Sequence, residues 1–179
     1  MTTKNKKGFT IIEVVLVLAI AGLIFLMVFI ALPALQRSQR NTQREDDLAR
    51  VLTAVNSFQT NNSGKVPFTF TGSTGSVDKN FVKRYVDEKC DTTDGVIYTN
   101  CGDQFTDPDG TIYRLIAKDK LTANKDDLGL PTTVNHVIYA YVNASCGDSE
   151  GTLKVSTGDR QVALVYVEEG GAIYCNDNH

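Results

Sequence analysis

Tryptophan is absent from this 179-residue chain, and histidine is reduced to His136 and His179. One lies inside a strand pattern and the other is the last residue of the sequence, so both read as structural or solvated, and no catalytic set is found. The sequence also holds no His-Glu-x-x-His, no Gly-x-Ser-x-Gly and no phosphate-binding glycine loop. Basic residues are in the minority too. The formal charge is −3, and without Lys4, Lys6 and Lys7 near the N-terminus 15 basic residues face 21 acidic ones. A dedicated nucleic-acid binder has the opposite balance. The four cysteines include no Cys-x-x-Cys pair, which argues against a zinc or thioredoxin-like redox site. What remains, 42 % hydrophobic and 22 % charged residues, is the composition of a folded protein with its own core.

The hydrophobic residues are unevenly spread. Val14 to Leu35 carries no charge over 22 residues, and about 20 suffice to cross a hydrocarbon core as a helix. Glu13 stands at its head. A carboxylate within an apolar helix costs on the order of 2.5 to 3.5 kcal/mol near the bilayer centre and less toward the edge, so something should compensate it. A cleaved secretory signal is the competing reading, because Ala19-Ile20-Ala21 fits the cleavage pattern. Cleavage there would leave the strongly apolar Leu23 to Leu35 at the new N-terminus.

Helical periodicity continues past the apolar run. Leu48, Val51, Leu52, Val55 and Phe58 recur at spacings of three and four, and Asn61-Asn62-Ser63-Gly64 with Pro67 beyond is a stop signal. The pattern predicts one helix from Phe9 to Asn61, with a kink or local unwinding at Pro33. Arg37, Arg40 and Arg44 share one face of it. They read either as a solvated stripe or as contacts to another subunit, to lipid headgroups or to nucleic acid. Residues 63–76 read as a surface loop and 77–89 as containing a short helix. Beyond Asp107-Pro108-Asp109-Gly110, a strong turn, the period changes to two, which predicts strands at 111–116, 134–143, 152–156, 161–167 and 172–175. Short connections favour antiparallel pairing. The expected fold is α+β: one long helix whose amphipathic half is covered by an antiparallel sheet.

All four cysteines lie beyond the apolar helix. Four cysteines permit three connectivities, and pairing of neighbours, Cys90 with Cys101 and Cys146 with Cys175, is the expectation. Asp103, Asp107 and Asp109 are a weak calcium candidate set, weak because Thr111-Ile112-Tyr113 runs directly into a strand where a calcium loop would need further ligands. Asn61-Asn62-Ser63 and Asn143-Ala144-Ser145 match the glycosylation triplet, a pattern frequent by chance.

The lysine-bearing leader, the motif Gly8-Phe9-Thr10-Ile11-Ile12-Glu13 and the long helix together resemble a type IV pilin precursor. The resemblance is specific over Lys4 to about Asn61 and covers the remainder only in plan. It implies a leader at residues 1–8, a membrane-spanning and filament-core helix at 9–35, and a globular head at 36–179. It also implies cleavage by the prepilin peptidase between Gly8 and Phe9, N-methylation of Phe9, and an intersubunit salt bridge from Glu13 to a neighbour's N-terminal amine, a group largely protonated at neutral pH. The partners implied are further copies of the chain in a helical filament, the assembly platform and minor pilins, the membrane before assembly, and a host surface or DNA afterwards. No cofactor is implied. The location is the cell membrane as precursor and the cell surface as pilus. A pseudopilin or minor pilin is the alternative, and an enzyme or sensor on a plain anchor comes third. Pro33 departs from the family pattern: the usual helix-melting proline would fall at Ile30.

Overall fold

The apolar run, the stripe and the stop signal produce a single helix, α1 (Ile11–Asn61), in the computed structural model, which describes residues 8–71, 74–92, 94–158 and 160–178. The chain divides into two compact units, one up to Gln39 and one from Arg40 onward. In the first unit every large apolar side chain from Phe9 to Leu35 is exposed, so this half of α1 buries nothing within its own unit. Helical assignment runs through Pro33 without interruption. The unwinding expected there is absent from the single chain. A proline deprives the carbonyl of Phe29 of one amide donor, and loss of one rung leaves the ladder on either side intact.

In the second unit α1 turns Leu48, Val51, Leu52, Ala54 and Val55 inward, where they join the main core. The helix ends where Asn62 Nδ2 donates to the Phe58 carbonyl at 2.8 Å and the Gly64 amide donates to the Gln59 carbonyl at 2.7 Å, with Gly64 in the left-handed region at φ 81°. That glycine closure caps the last carbonyls.

Residues 63–76, expected to be loop, contain most of a hairpin, β1 (Phe68–Thr71) and β2 (Thr74–Val77). It lies so close to the sheet that a Cβ at Gly75 would collide with the Ala117 carbonyl. A short α2 (Phe81–Tyr85) follows, then the two-residue strands β3 (Asp91–Thr92) and β4 (Tyr98–Thr99), inside the Cys90–Cys101 ring. The main sheet comprises β5 (Arg114–Lys120), β6 (Val137–Val142), β9 (Val162–Val167) and β10 (Ile173–Asp177), in the order β10-β9-β6-β5. Between β6 and β9 lies a separate hairpin, β7 (Ala144–Cys146) with β8 (Leu153–Val155).

The sheet departs from the expected pattern in two ways. β5 and β6 pair in parallel, whereas β6–β9 and β9–β10 are antiparallel. The connection 121–136 is long enough to carry the chain back to the starting edge, which a parallel pair requires and a tight hairpin cannot do. The sheet is also buried on both faces. Ile138, Ala140, Val142, Leu164 and Tyr166 pack under α1, while Val137, Tyr139, Tyr141, Ala163 and Val165 form a second core with Leu121, Leu128 and Leu153. Strands covered on both sides read as continuous apolar runs, as Val162-Ala163-Leu164-Val165-Tyr166-Val167 does.

Candidate assembly site and the charge lock of the head

Thr10 and Glu13 open α1 as a capping box. The Thr10 amide and the Thr10 hydroxyl each donate to Glu13 Oε2 at 2.8 Å, and the Glu13 amide reaches back to Thr10 Oγ1 at 3.4 Å. A Ser/Thr-x-x-Glu sequence before an apolar helix satisfies two otherwise orphaned amides in this way. The four letters Thr10-Ile11-Ile12-Glu13 carry that signal, and reading Glu13 only as an unexplained charge misses it. Phe9, Val14, Val17 and Leu18 surround the carboxylate with exposed apolar surface. Gly8 and Phe9 precede the helix and are themselves exposed. Lys4, Lys6 and Lys7 lie outside the described residues.

Of the arginine stripe, Arg40 and Arg44 belong to the head and are engaged inside it. Arg44 is 3 % exposed and grips Asp107 with both arms of its fork, Nε to Oδ2 at 2.7 Å and Nη2 to Oδ1 at 2.9 Å. Its Nη1 donates to Glu169 Oε1 at 2.9 Å and to Asn41 Oδ1 at 3.0 Å. Arg40 holds the same Glu169 at 2.6 and 2.7 Å. The Tyr166 hydroxyl donates to Asp107 at 3.0 Å and that of Tyr113 to Asp47 at 2.9 Å. Both arginines are thus engaged within the head, Arg44 buried and Arg40 partly open to solvent. They tie α1 to the loop at 107 and to the turn between β9 and β10. Burial works against the Arg44 charge, and its bonds to Asp107 and Glu169 outweigh that, so its pKa is raised. Burial raises the hydroxyls of Tyr113 and Tyr166 as well, with the nearby carboxylates adding to the effect.

The calcium candidates do not come together as expected. Asp107, Asp109 and His136 have ligand atoms within 4.8 Å of one another, while Asp103 sits in a separate 3-10 turn and is not of this group. Both Asp107 oxygens already serve the Arg44 fork, so a cation occupies the place that calcium would need. His136 Nε2 is 2.6 Å from Asp109 Oδ2. The disulfides are Cys90–Cys101 and Cys146–Cys175, and there is no free cysteine. Of the glycosylation triplets, Asn61 is exposed at the end of α1, whereas Asn143 is half-buried at a left-handed φ of 56°.

Two carboxylates give the head an acid-sensitive stability. The bonds from Arg40 hold Glu169 well below the usual range, to about 2, against the opposing effect of burial and with Arg44 assisting. Burial pushes Asp109 up, but the amide and hydroxyl of Thr111 and the His136 ring together bring it down to about 2. Glu168 shifts the other way, raised by burial and then by the charge of Glu45, and offsets part of the slope. A carboxylate whose folded pKa is depressed contributes stability above its unfolded value, near 4.3 for Glu and 3.9 for Asp, and loses it as pH falls toward 2. Thermal unfolding of the purified chain should therefore move to lower temperature between about pH 4.5 and pH 2. Glu169→Gln should flatten that slope, and an unchanged slope would remove Glu169 from the account.

Comparison with known proteins gives one match. Residues 3–29 match the family model of the prokaryotic N-terminal methylation motif. Searches of curated proteins and of solved structures found no match. Residues 3–29 thus carry the class III signal of type IV pilins, and this signal, on a chain with a long apolar N-terminal helix and an α+β head, supports a pilin-like or pseudopilin structural subunit made as a membrane-anchored precursor.

Proposed function

We propose that the chain is a structural subunit, a major pilin, of an extracellular type IV filament serving adhesion, twitching motility or DNA uptake. The observation that carries this reading is the first unit of α1: a helix uncharged from Val14 to Leu35 with its large apolar side chains exposed, headed by one carboxylate whose only hydrogen-bond partner among the described residues is Thr10. Such a helix has two suitable environments, a bilayer and a bundle of its own copies. In the membrane it is the stored precursor. In the filament it exchanges lipid for the apolar helices of its neighbours. The prepilin peptidase cuts between Gly8 and Phe9 and methylates Phe9, and the new amine pairs with Glu13 of an adjacent subunit, so that two charges costly to bury alone neutralise each other. Unwinding near Pro33, absent from the single chain, is then a property of the packed filament. The assembly platform and minor pilins are the implied machinery, and a host surface or DNA the implied external partner.

The pseudopilin reading would be favoured by calcium ligation at Asp107 and Asp109, and the Arg44 fork on Asp107 weighs against it. Filaments sheared from cells should have this chain as their dominant protein, starting at N-methylated Phe9 by mass spectrometry. An uncut Met1 form confined to the membrane fraction would overturn the proposal.

A further inference from the structure

Asp87, two residues beyond α2, is a buried acid of the head that the charge lock does not reach; it is 5 % exposed. Its Oδ1 accepts from the Lys89 amide at 3.0 Å, while its Oδ2 is buried with no hydrogen-bond partner among the described residues. Asp47 and Asp107, buried likewise, have arginines at 3.0 and 2.7 Å. A carboxylate taken out of water needs a compensating charge or donor, so an orphaned oxygen points to a partner that the chain itself does not supply.

The Asp87 carboxylate belongs to the wall of a polar pocket of about 530 Å³, to which Glu88 and Asp103 add two exposed carboxylates. Asp87 and Asp103 flank the Cys90–Cys101 ring on its two sides, and the disulfide brings their segments together: a Cβ at Gly102 would stand 3.0 Å from Asp87 Oδ2. The cations of the same wall leave that oxygen unserved. Lys83 is engaged with Asp91 at 2.7 Å, and neither Arg84 nor Lys89 donates to Asp87 Oδ2. The stem of Lys89 passes 3.2 Å from the same Gly102 position, and this exposed, flexible chain can swing aside to admit an ion. We infer that the pocket binds a hard divalent cation of calcium size, held by Asp87, Glu88 and Asp103 and completed by water. Calcium accepts about six to eight oxygens in loose geometry, whereas magnesium demands a strict octahedron, so one fixed and two movable carboxylates suit calcium. The ion would pin the end of α2 to the turn after Cys101. The site is separate from the Asp107 group, whose carboxylate is already taken by the Arg44 fork.

The test is calcium titration of the full chain in detergent micelles, followed by calorimetry and by thermal unfolding. With a dissociation constant of about 0.1 to 1 mM, the range of weak extracellular calcium modules, about 10 mM calcium should raise the midpoint by roughly 3 to 11 °C. Asp87→Asn should lose that shift. Because a buried substitution can also harm folding, Glu88→Gln and Asp103→Asn provide a second arm at exposed positions, each expected to weaken binding about three- to tenfold. Lys89→Met should tighten binding by removing a competing charge, and Asp109→Asn should leave the shift intact. A wild type indifferent to calcium overturns the inference, as does a shift that persists in Asp87→Asn or in the combined Glu88→Gln, Asp103→Asn chain. A calcium-indifferent wild type whose midpoint falls in Lys89→Met would assign Asp87 to that lysine, and overturns it equally.

Discussion

A Glu13→Ala chain is expected to be cut after Gly8 as the wild type is, yet to be all but lost from filaments. The substitution takes a charge out of an apolar helix, so storage in the membrane becomes easier, and poor insertion cannot be the cause of an assembly defect. On the proposed function, what it removes is the partner of the neighbour's amine. Leaving a buried charge without its mate costs about 3 to 5 kcal/mol, equivalent to roughly a hundred- to several-thousandfold in subunit affinity. Contacts among Val14 to Leu35 remain, but lipid tails are as apolar as those side chains and offer no comparable preference for one register. The measurement is the amount of processed chain in the sheared fraction against that in the membrane. Fibres of normal yield from this variant would refute the pairing mechanism, even with cleavage intact.

Local signals carried much of this molecule. The helix from Ile11 to Asn61 follows from an apolar run, a stripe at spacings of three and four, and a glycine stop, each visible within a few residues. Glu13 was conspicuous as a charge, although its bond to Thr10 needed the capping-box pattern to be noticed. The long-range pairings left no such trace. Arg44 and Asp107 are 63 positions apart, and Arg44 and Glu169 are 125 apart. From sequence Arg44 is indistinguishable from its neighbour Arg37, since helical spacing places both on a face without saying what covers that face. The parallel β5–β6 pair was hidden for a related reason. Periodicity identifies a strand, but its direction depends on the path of 121–136, a segment with no regular pattern. The hairpin at 68–77 was concealed by the glycine, serine and threonine that suit a loop equally well. Gly75 shows why they are there: small residues let the hairpin lie against Ala117.

Arg44→Met should be the most damaging single change in the head, at about 3 to 5 kcal/mol. Methionine keeps the aliphatic stem and the helix propensity, so the loss isolates the guanidinium. It leaves Asp107, whose side chain is 0 % exposed, with only the Tyr166 hydroxyl and the Asp109 amide as donors among the described residues. Against a typical total of 5 to 15 kcal/mol this is a large fraction, and at roughly 2 to 4 °C per kcal/mol for a chain of this size the midpoint should fall by about 6 to 20 °C. Arg40→Met is the comparison. Arg40 reaches the same Glu169, but its side chain is 34 % exposed, and a pair open to solvent contributes about 1 kcal/mol or less. The ion pair itself need not be strongly stabilising, because two charges removed from water lose most of what their attraction returns. Arg44→Met combined with Asp107→Leu should therefore regain much of the single-variant loss. Urea unfolding of the detergent-solubilised chain, with the slope unchanged between variants, measures all four proteins. Equal losses for Arg40→Met and Arg44→Met, or no recovery in the double variant, would show that α1 is held to the sheet by its apolar stripe alone. The expected ordering instead makes Arg44 the residue that fixes where the long helix enters the head.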